Sequence, residues 1–402
     1  MNKKNIFVWS LYDFANSFVF ITFLLYFSKW MVVNRGLSDW WYNATFILGS
    51  IGLVFLAPYF GSRADTHNNG RKYLIWSTLG CFVFYSLAII SAISGMSIFL
   101  SALAFGLGNF FYQLSFIFYN PLLNNISRPE NQGRVSGIGF LANYLGQIGG
   151  ILISLPFVSG KITIPGVDSL VAPLIPATII FLVLAIPLLM RKEIFNLSTY
   201  KAVEKKLSQW RLLRSIIVLP GVLMFMIAFF LFSDAITTII NNASIFTSQV
   251  FSVTDSQISL LILFVIVFAG LGAYGWGLLS DKFGAKRILI TNLMAWVVII
   301  PFMSWVTTYS VFFVATAFAG LCIGGSFSIS RKVLIELVPQ ANLNYAFGIY
   351  AISERAATIV GPLAWTMVLA AGGYRGAMFS MVIFQIVSIF LMLKISRKTQ
   401  TA

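Results

Sequence analysis

The run YLIWSTLGCFVFYSLAIISAISGMSIFLSALAFGLGNFFYQLSFIFYNPLLNNIS (Tyr73–Ser127) contains no Asp, Glu, Lys or Arg. Such a segment cannot coat a water-soluble domain, where about a quarter of residues are charged. It is also too long for one bilayer crossing, which takes about 20 apolar residues in an α-helix. Gly95 offers the turn, so the run reads as two helices in a tight hairpin. Ile288–Ser330 repeats the pattern and turns near Thr308–Ser310.

The rest of the chain has the same character. Of 402 residues 58% are hydrophobic and only 10% charged, at a mean hydropathy of +0.88. In hydrocarbon every backbone group must be satisfied internally, which leaves helices as the reading of such segments. Further helices are expected at about 6–33, 42–60, 135–158, 173–190, 218–250, 257–279, 345–371 and 377–394. With the two hairpins they make twelve. The start, with Lys3 and Lys4 before an apolar stretch, resembles a signal peptide. That stretch is too long, carries Asp13 and lacks a small-residue cleavage pattern, so the first helix is expected to be retained.

The net charge of +15 is no sign of nucleic-acid binding, because no basic-aromatic motif accompanies it. Twenty-two of the 27 Lys and Arg residues fall in one alternate set of loops, seven of them between Arg191 and Arg214. Basic loops stay on the cytoplasmic side, so both termini and the central segment are expected there. Cys81 and Cys322 lie inside apolar runs and imply neither a disulfide nor a metal site. No Ser/His/Asp, Cys/His or metal constellation and no nucleotide-binding loop argues for an enzyme or for ATP drive, and no cofactor is expected.

The two halves echo each other. Gly61 pairs with Gly277 and Asp65 with Asp281 at an offset of 216; Gly137-Ile138 pairs with Gly348-Ile349 and Gly150 with Gly361 at 211; Asp13 pairs with Asp234 at 221. Two parallel six-helix repeats are the architecture of transporters that rock about a midplane site. The expectation is an all-α membrane protein with twelve transmembrane helices in two pseudo-symmetric bundles, residues 1–190 and 215–402, joined by a linker at 191–214.

GLLSDKFGAKRIL (Gly277–Leu289) resembles the loop signature of the major facilitator superfamily, and GSRADTHNNGRK (Gly61–Lys72) is similar with two extra residues before its glycine. SLYDFANSF (Ser10–Phe18), YNPLL (Tyr119–Leu123), LFSDAITTI (Leu231–Ile239), GGSFSISRKVLIELVP (Gly324–Pro339) and FGIYAISERAATIVGP (Phe347–Pro362) resemble its vacuole-effluxer-like branch. The resemblance covers essentially the whole chain. It implies alternating-access transport of an amino acid or similar small polar solute, outward in direction. It also implies a cavity lined by helices one, four, seven and ten. One departure weakens the substrate carry-over: relatives have Gly-Lys where this chain has Glu354-Arg355.

Ionisable groups in hydrocarbon are costly unless they face a cavity or a partner. Asp13 with Asn16, and Asp234 with Thr237, Thr238 and Asn241, form polar stripes on the first and seventh helices; Asn109, Gln113 and Asn120 share a face of the fourth. These residues, with Glu354 and Arg355, are the candidates for substrate binding or ion coupling. Counted at about 1.5 Å per residue from Asn344, Glu354 lies near the midplane. Two readings stand for the amides, cavity lining and interhelical hydrogen bonding. Two stand for Glu354, a proton-coupling carboxylate and a permanent ion pair. Gly61, Asp65, Arg71, Lys72, Gly277, Asp281, Lys286 and Arg287 form the candidate gating latch, the bases being latch partners or simple cytoplasmic anchors. His67 reads as a solvated loop residue. The expected partners are a small-molecule substrate, a coupling proton or other ion, and the lipid bilayer of a bacterial cell membrane, with the chain acting as a monomer. A lipid translocase predicts an apolar cavity, against the polar stripes, and a receptor or scaffold needs a larger soluble domain than 191–214 offers.

Overall fold

Charge-free sequence becomes helix with few interruptions, and the breaks fall where glycine, proline or a polar pair allows them. The computed structural model describes residues 3–37, 52–53, 56–195, 216, 218–356 and 360–395. Helix α1 (Lys3–Thr22) continues through two π-helical turns, Phe23–Phe27 and Trp30–Asn34. Then come α2 (56–67), α3 (Gly70–Ile93), α4 (Ile98–Tyr119), α5 (Gln132–Val158) and α6 (Leu174–Met190). The second repeat holds α7 (Val222–Phe251), α8 (Asp255–Phe283), α9 (Ala285–Trp305), α10 (Tyr309–Leu337), α11 (Leu343–Ala356) and α12 (Val360–Lys394). Gly373, at φ 63°, breaks α12 into two helical stretches. Nine helices among the described residues are long and apolar enough to span a bilayer, and α6 is a shorter apolar one. Most of the expected span at 42–60 and most of the central linker lie outside the described residues.

Apolar side chains face outward as well as inward. Trp76, Val298 and Met367 are each about 70% exposed, a surface that water would not tolerate and lipid does. The observed end of α10 lies beyond the expected one. Arg331 and Lys332, read from sequence as loop charges, are buried in its last turns. The helix extends to Leu337 because both cations find partners inside the protein.

The chain divides into two compact units. The first comprises Met1–Ile126, Ala142–Glu204 and Ala341–Ile349; the second comprises Ser127–Leu141, Lys205–Gln340 and Tyr350–Ala402. The opening turns of α5 thus belong to the second unit, and those of α11 to the first. Each of these helices is entered through a 3₁₀ turn, Pro129–Asn131 and Gln340–Asn342, at the repeat offset of 211.

Candidate functional site

In the first unit, α1 and α4 run antiparallel and are clamped by rings. Trp9 stacks on Tyr119 at 4.8 Å, Phe20 on Tyr112 at 4.6 Å, and Phe23 on Phe105 at 6.1 Å. Asp13, fully buried, sits inside this clamp. Its Oδ2 lies 3.2 Å from the Tyr119 hydroxyl, and its Oδ1 accepts from Asn143 Nδ2 at 2.9 Å; Gln147 in turn donates to Asn143 at 2.9 Å. Two donors, Tyr119 and Asn143, fix this carboxylate to α4 and α5, and Gln147 holds Asn143 in place.

Next to it the polar face changes character. The ring contacts place Asn16 near the level of Gln113. Asn16 stands beside Tyr12 without a well-formed hydrogen bond, and both its side-chain polar atoms are unpartnered. The same holds for both polar atoms of Asn109, for Gln113 Oε1, Asn120 Oδ1 and the Tyr85 hydroxyl, all buried. Buried polar groups are nearly always hydrogen-bonded, because each one left unmade costs about 1–3 kcal/mol. A row of them along α1 and α4 leaves that face with hydrogen bonds unmade among the described residues.

In the second unit Asp234 of α7 is also fully buried but less well held. The Gly361 backbone N–H donates to Oδ2, while Oδ1 and the Thr238 hydroxyl have no partner. Thr237 is half-buried and Asn241 exposed, so of the expected stripe only Asp234 and Thr238 turn fully inward. Glu354 and Arg355 lie in α11, and their side chains fall outside the described residues.

The latch residues form two matching caps. In the first unit, Asp65 accepts from the backbone N–H groups of Asn344 (3.3 Å) and Tyr345 (2.9 Å) and from the Asn344 side chain, so it caps the N-terminus of α11. In the second, Asp281 accepts from the N–H groups of Gly133 and Arg134, each at 2.7 Å, and caps α5. A carboxylate at a helix N-terminus meets orphan donors and the positive end of the dipole. The close approach needs glycine: a methyl group on Gly61 would strike the backbone of Asn344 and Tyr345, and one on Gly277 the carbonyl of Gly133. The caps differ in one respect. Lys332, 3% exposed, donates to Asp281 at 2.7 Å, whereas among the described residues Asp65 receives only neutral donors. Arg71 donates to the Leu189 carbonyl at 2.8 Å and Lys286 to that of Ile395, so these two bases cap the C-terminal ends of α6 and α12. Lys72 and Arg287 are exposed.

Burial pushes the Asp65 carboxyl up to about 7, against the hydrogen bonds from Asn344 and Tyr345 that pull it down. A raised value means that the docked cap binds the extra proton. Its contribution is complete below about pH 4 and is lost as the pH rises through about 7. Amide exchange at Asn344 and Tyr345, corrected for intrinsic rate, is expected to accelerate between about pH 6 and 8. In Asp65→Asn that pH dependence should vanish; its persistence would remove Asp65 as the titrating group.

Sequence analysis did not identify Tyr119, Asn143, Gln147, Lys332 or Asn344 as partners. The offset of 211, which pairs Gly133 with Asn344, was the signal for the caps.

The family described as "Vacuole effluxer Atg22 like" matches residues 44–402. The chain belongs to this family. A protein of Aquifex aeolicus is 25% identical over 82% of this chain and 80% of its own length. The MFS-type transporter YxiO of Bacillus subtilis is 22% identical over 98% and 95%. Autophagy-related protein 22 of Saccharomyces cerevisiae is 26% identical over 36% of this chain and 30% of the yeast protein, so that likeness is regional. Among solved structures, a bacterial homologue of the iron transporter ferroportin in an outward-facing state superposes with a TM-score of 0.78 at 14% identity, over 98% of each chain. The transporter FucP in an outward conformation gives 0.77 at 14%, over 99% of each. This vacuole-effluxer relative is thus an all-α membrane protein with the twelve-helix major facilitator fold, and a membrane transporter.

Proposed function

We propose that the chain exports a small polar or zwitterionic solute, of amino-acid size and polarity, by alternating access. The observation that carries the reading is the row of buried amides Asn16, Asn109, Gln113 and Asn120, whose side-chain oxygens have no hydrogen-bond partner among the described residues. Outward direction rests on the family's description as effluxers. Arg355 is assigned to the anionic group of the solute, Asp234 to its cationic group or to the coupling ion, and Glu354 to proton coupling or a structural ion pair. Asp13, with its donors already in place, orients α1 against α4 and α5. Alternating access requires the α5 and α11 N-termini to leave Asp281 and Asp65 in one state and return in the other. The chain works as a monomer in a bacterial cell membrane, with both termini cytoplasmic.

Proteoliposomes loaded with pooled labelled amino acids, sugars and nucleosides, with and without a proton gradient, test the reading. Asn109→Leu and Gln113→Leu are expected to cut transport at least about tenfold while leaving the melting temperature unchanged or higher, because removing an unpartnered buried group relieves a cost. A marked fall in melting temperature with transport intact would make the amides interhelical ties instead.

A further inference from the structure

Two acids at equivalent repeat positions meet different surroundings. Asp13 holds Tyr119 and Asn143; Asp234 has the single Gly361 N–H, and no cation pairs with it among the described residues. Its Oδ1 and the Thr238 hydroxyl, one turn further along α7, both point at the bare Cα of Gly361, where a methyl group would collide with each. Among the described residues both oxygens are unpartnered, and both residues have no exposed surface. A larger residue at 361 would fill the space and satisfy neither oxygen. The next residue, Pro362, has no N–H to give, so this turn supplies one helical bond fewer.

The chemistry of the donors narrows the ligand. One carboxylate and one hydroxyl make a hard, singly charged set. A divalent ion such as Ca²⁺ asks for 6–8 oxygens, commonly from several carboxylates. We propose that Asp234 Oδ1 and Thr238 Oγ1, converging over Gly361, form a binding site for a compact monovalent cation, sodium. The site lies wholly within the second unit. It deepens the transport reading and rests on it only for the ion's use as the coupling species. Neutralising Asp234 with a bound ion removes the cost of a bare carboxylate in hydrocarbon, so ion occupancy and the stability of this unit rise together.

The test uses the purified full-length protein in detergent at constant ionic strength, with NaCl titrated against choline chloride. The wild type is expected to show a saturable Na⁺-dependent rise in melting temperature. Thr238→Val, nearly isosteric, should raise the half-saturating Na⁺ concentration about tenfold, and Asp234→Asn should abolish the response. Equal melting in Na⁺ and choline by the wild type, or an undiminished Na⁺ response in Asp234→Asn, overturns the site. A response to methylammonium without one to Na⁺ would assign it to a substrate amine and overturn the ion assignment. A saturable Na⁺ response in a protein that moves no solute supports the site while removing the transport reading, so the two fail separately.

Discussion

Lys332→Met is expected to lower the stability of the second unit by about 3 kcal/mol, read by SDS-induced unfolding, although the residue lies at the end of a helix and reads in sequence as a loop charge. Its ammonium is nearly inaccessible and donates to Asp281 at 2.7 Å. Removing it leaves a carboxylate with two backbone donors, those of Gly133 and Arg134, and no countercharge among the described residues. Breaking one side of a buried pair costs more than the pair is worth, because the remaining charge stays desolvated. Lys332→Met combined with Asp281→Asn should therefore recover most of the loss. If the double variant is as unstable as the single one, the cation acts through packing, not charge. In the first unit, Asn344→Ala removes a neutral donor from Asp65 and should cost less, about 1.5 kcal/mol.

The second large effect is steric. Gly324→Val is expected to abolish a monodisperse, folded product, or to cost about 3 kcal/mol where protein survives. Helices α8 and α10 touch backbone to backbone: a Cβ on Gly320 would meet the Val265 carbonyl, one on Gly324 that of Ala269, and one on Gly272 the Leu321 backbone. Gly320 and Gly324 make the small-xxx-small pattern by which membrane helices approach closely. A carbonyl oxygen cannot rotate aside as a side chain can, so the helices must separate. Gly275→Ala is the matched control, since nothing stands within 4 Å of its Cβ position. It should be neutral or slightly stabilising, and equal damage from both variants would refute the packing argument.

How much was legible in the sequence follows from the range of the interactions. Apolar runs such as Tyr73–Ser127 fix helices locally, and the offsets of 211 and 216 carry the repeat into its 3₁₀ turns and caps. Asp13 and Asp234 are visible because charge in hydrocarbon needs a reason. That one acid is saturated and the other is not was invisible, because Tyr119 and Asn143 lie 106 and 130 residues from Asp13. Lys332 was misread for the same cause. A basic pair beside Ser330 looks like a helix end until Asp281, 51 residues earlier, is known to face it.

The division of the chain into units bears on how it is made. The first unit includes Ala341–Ile349, and Asp65 waits 279 residues for Asn344. The ribosome will have delivered most of both repeats into the bilayer before the N-terminal bundle acquires its last piece. Early helices must therefore persist, with Asp65 bonded to water or lipid headgroups, until late translation supplies the cap.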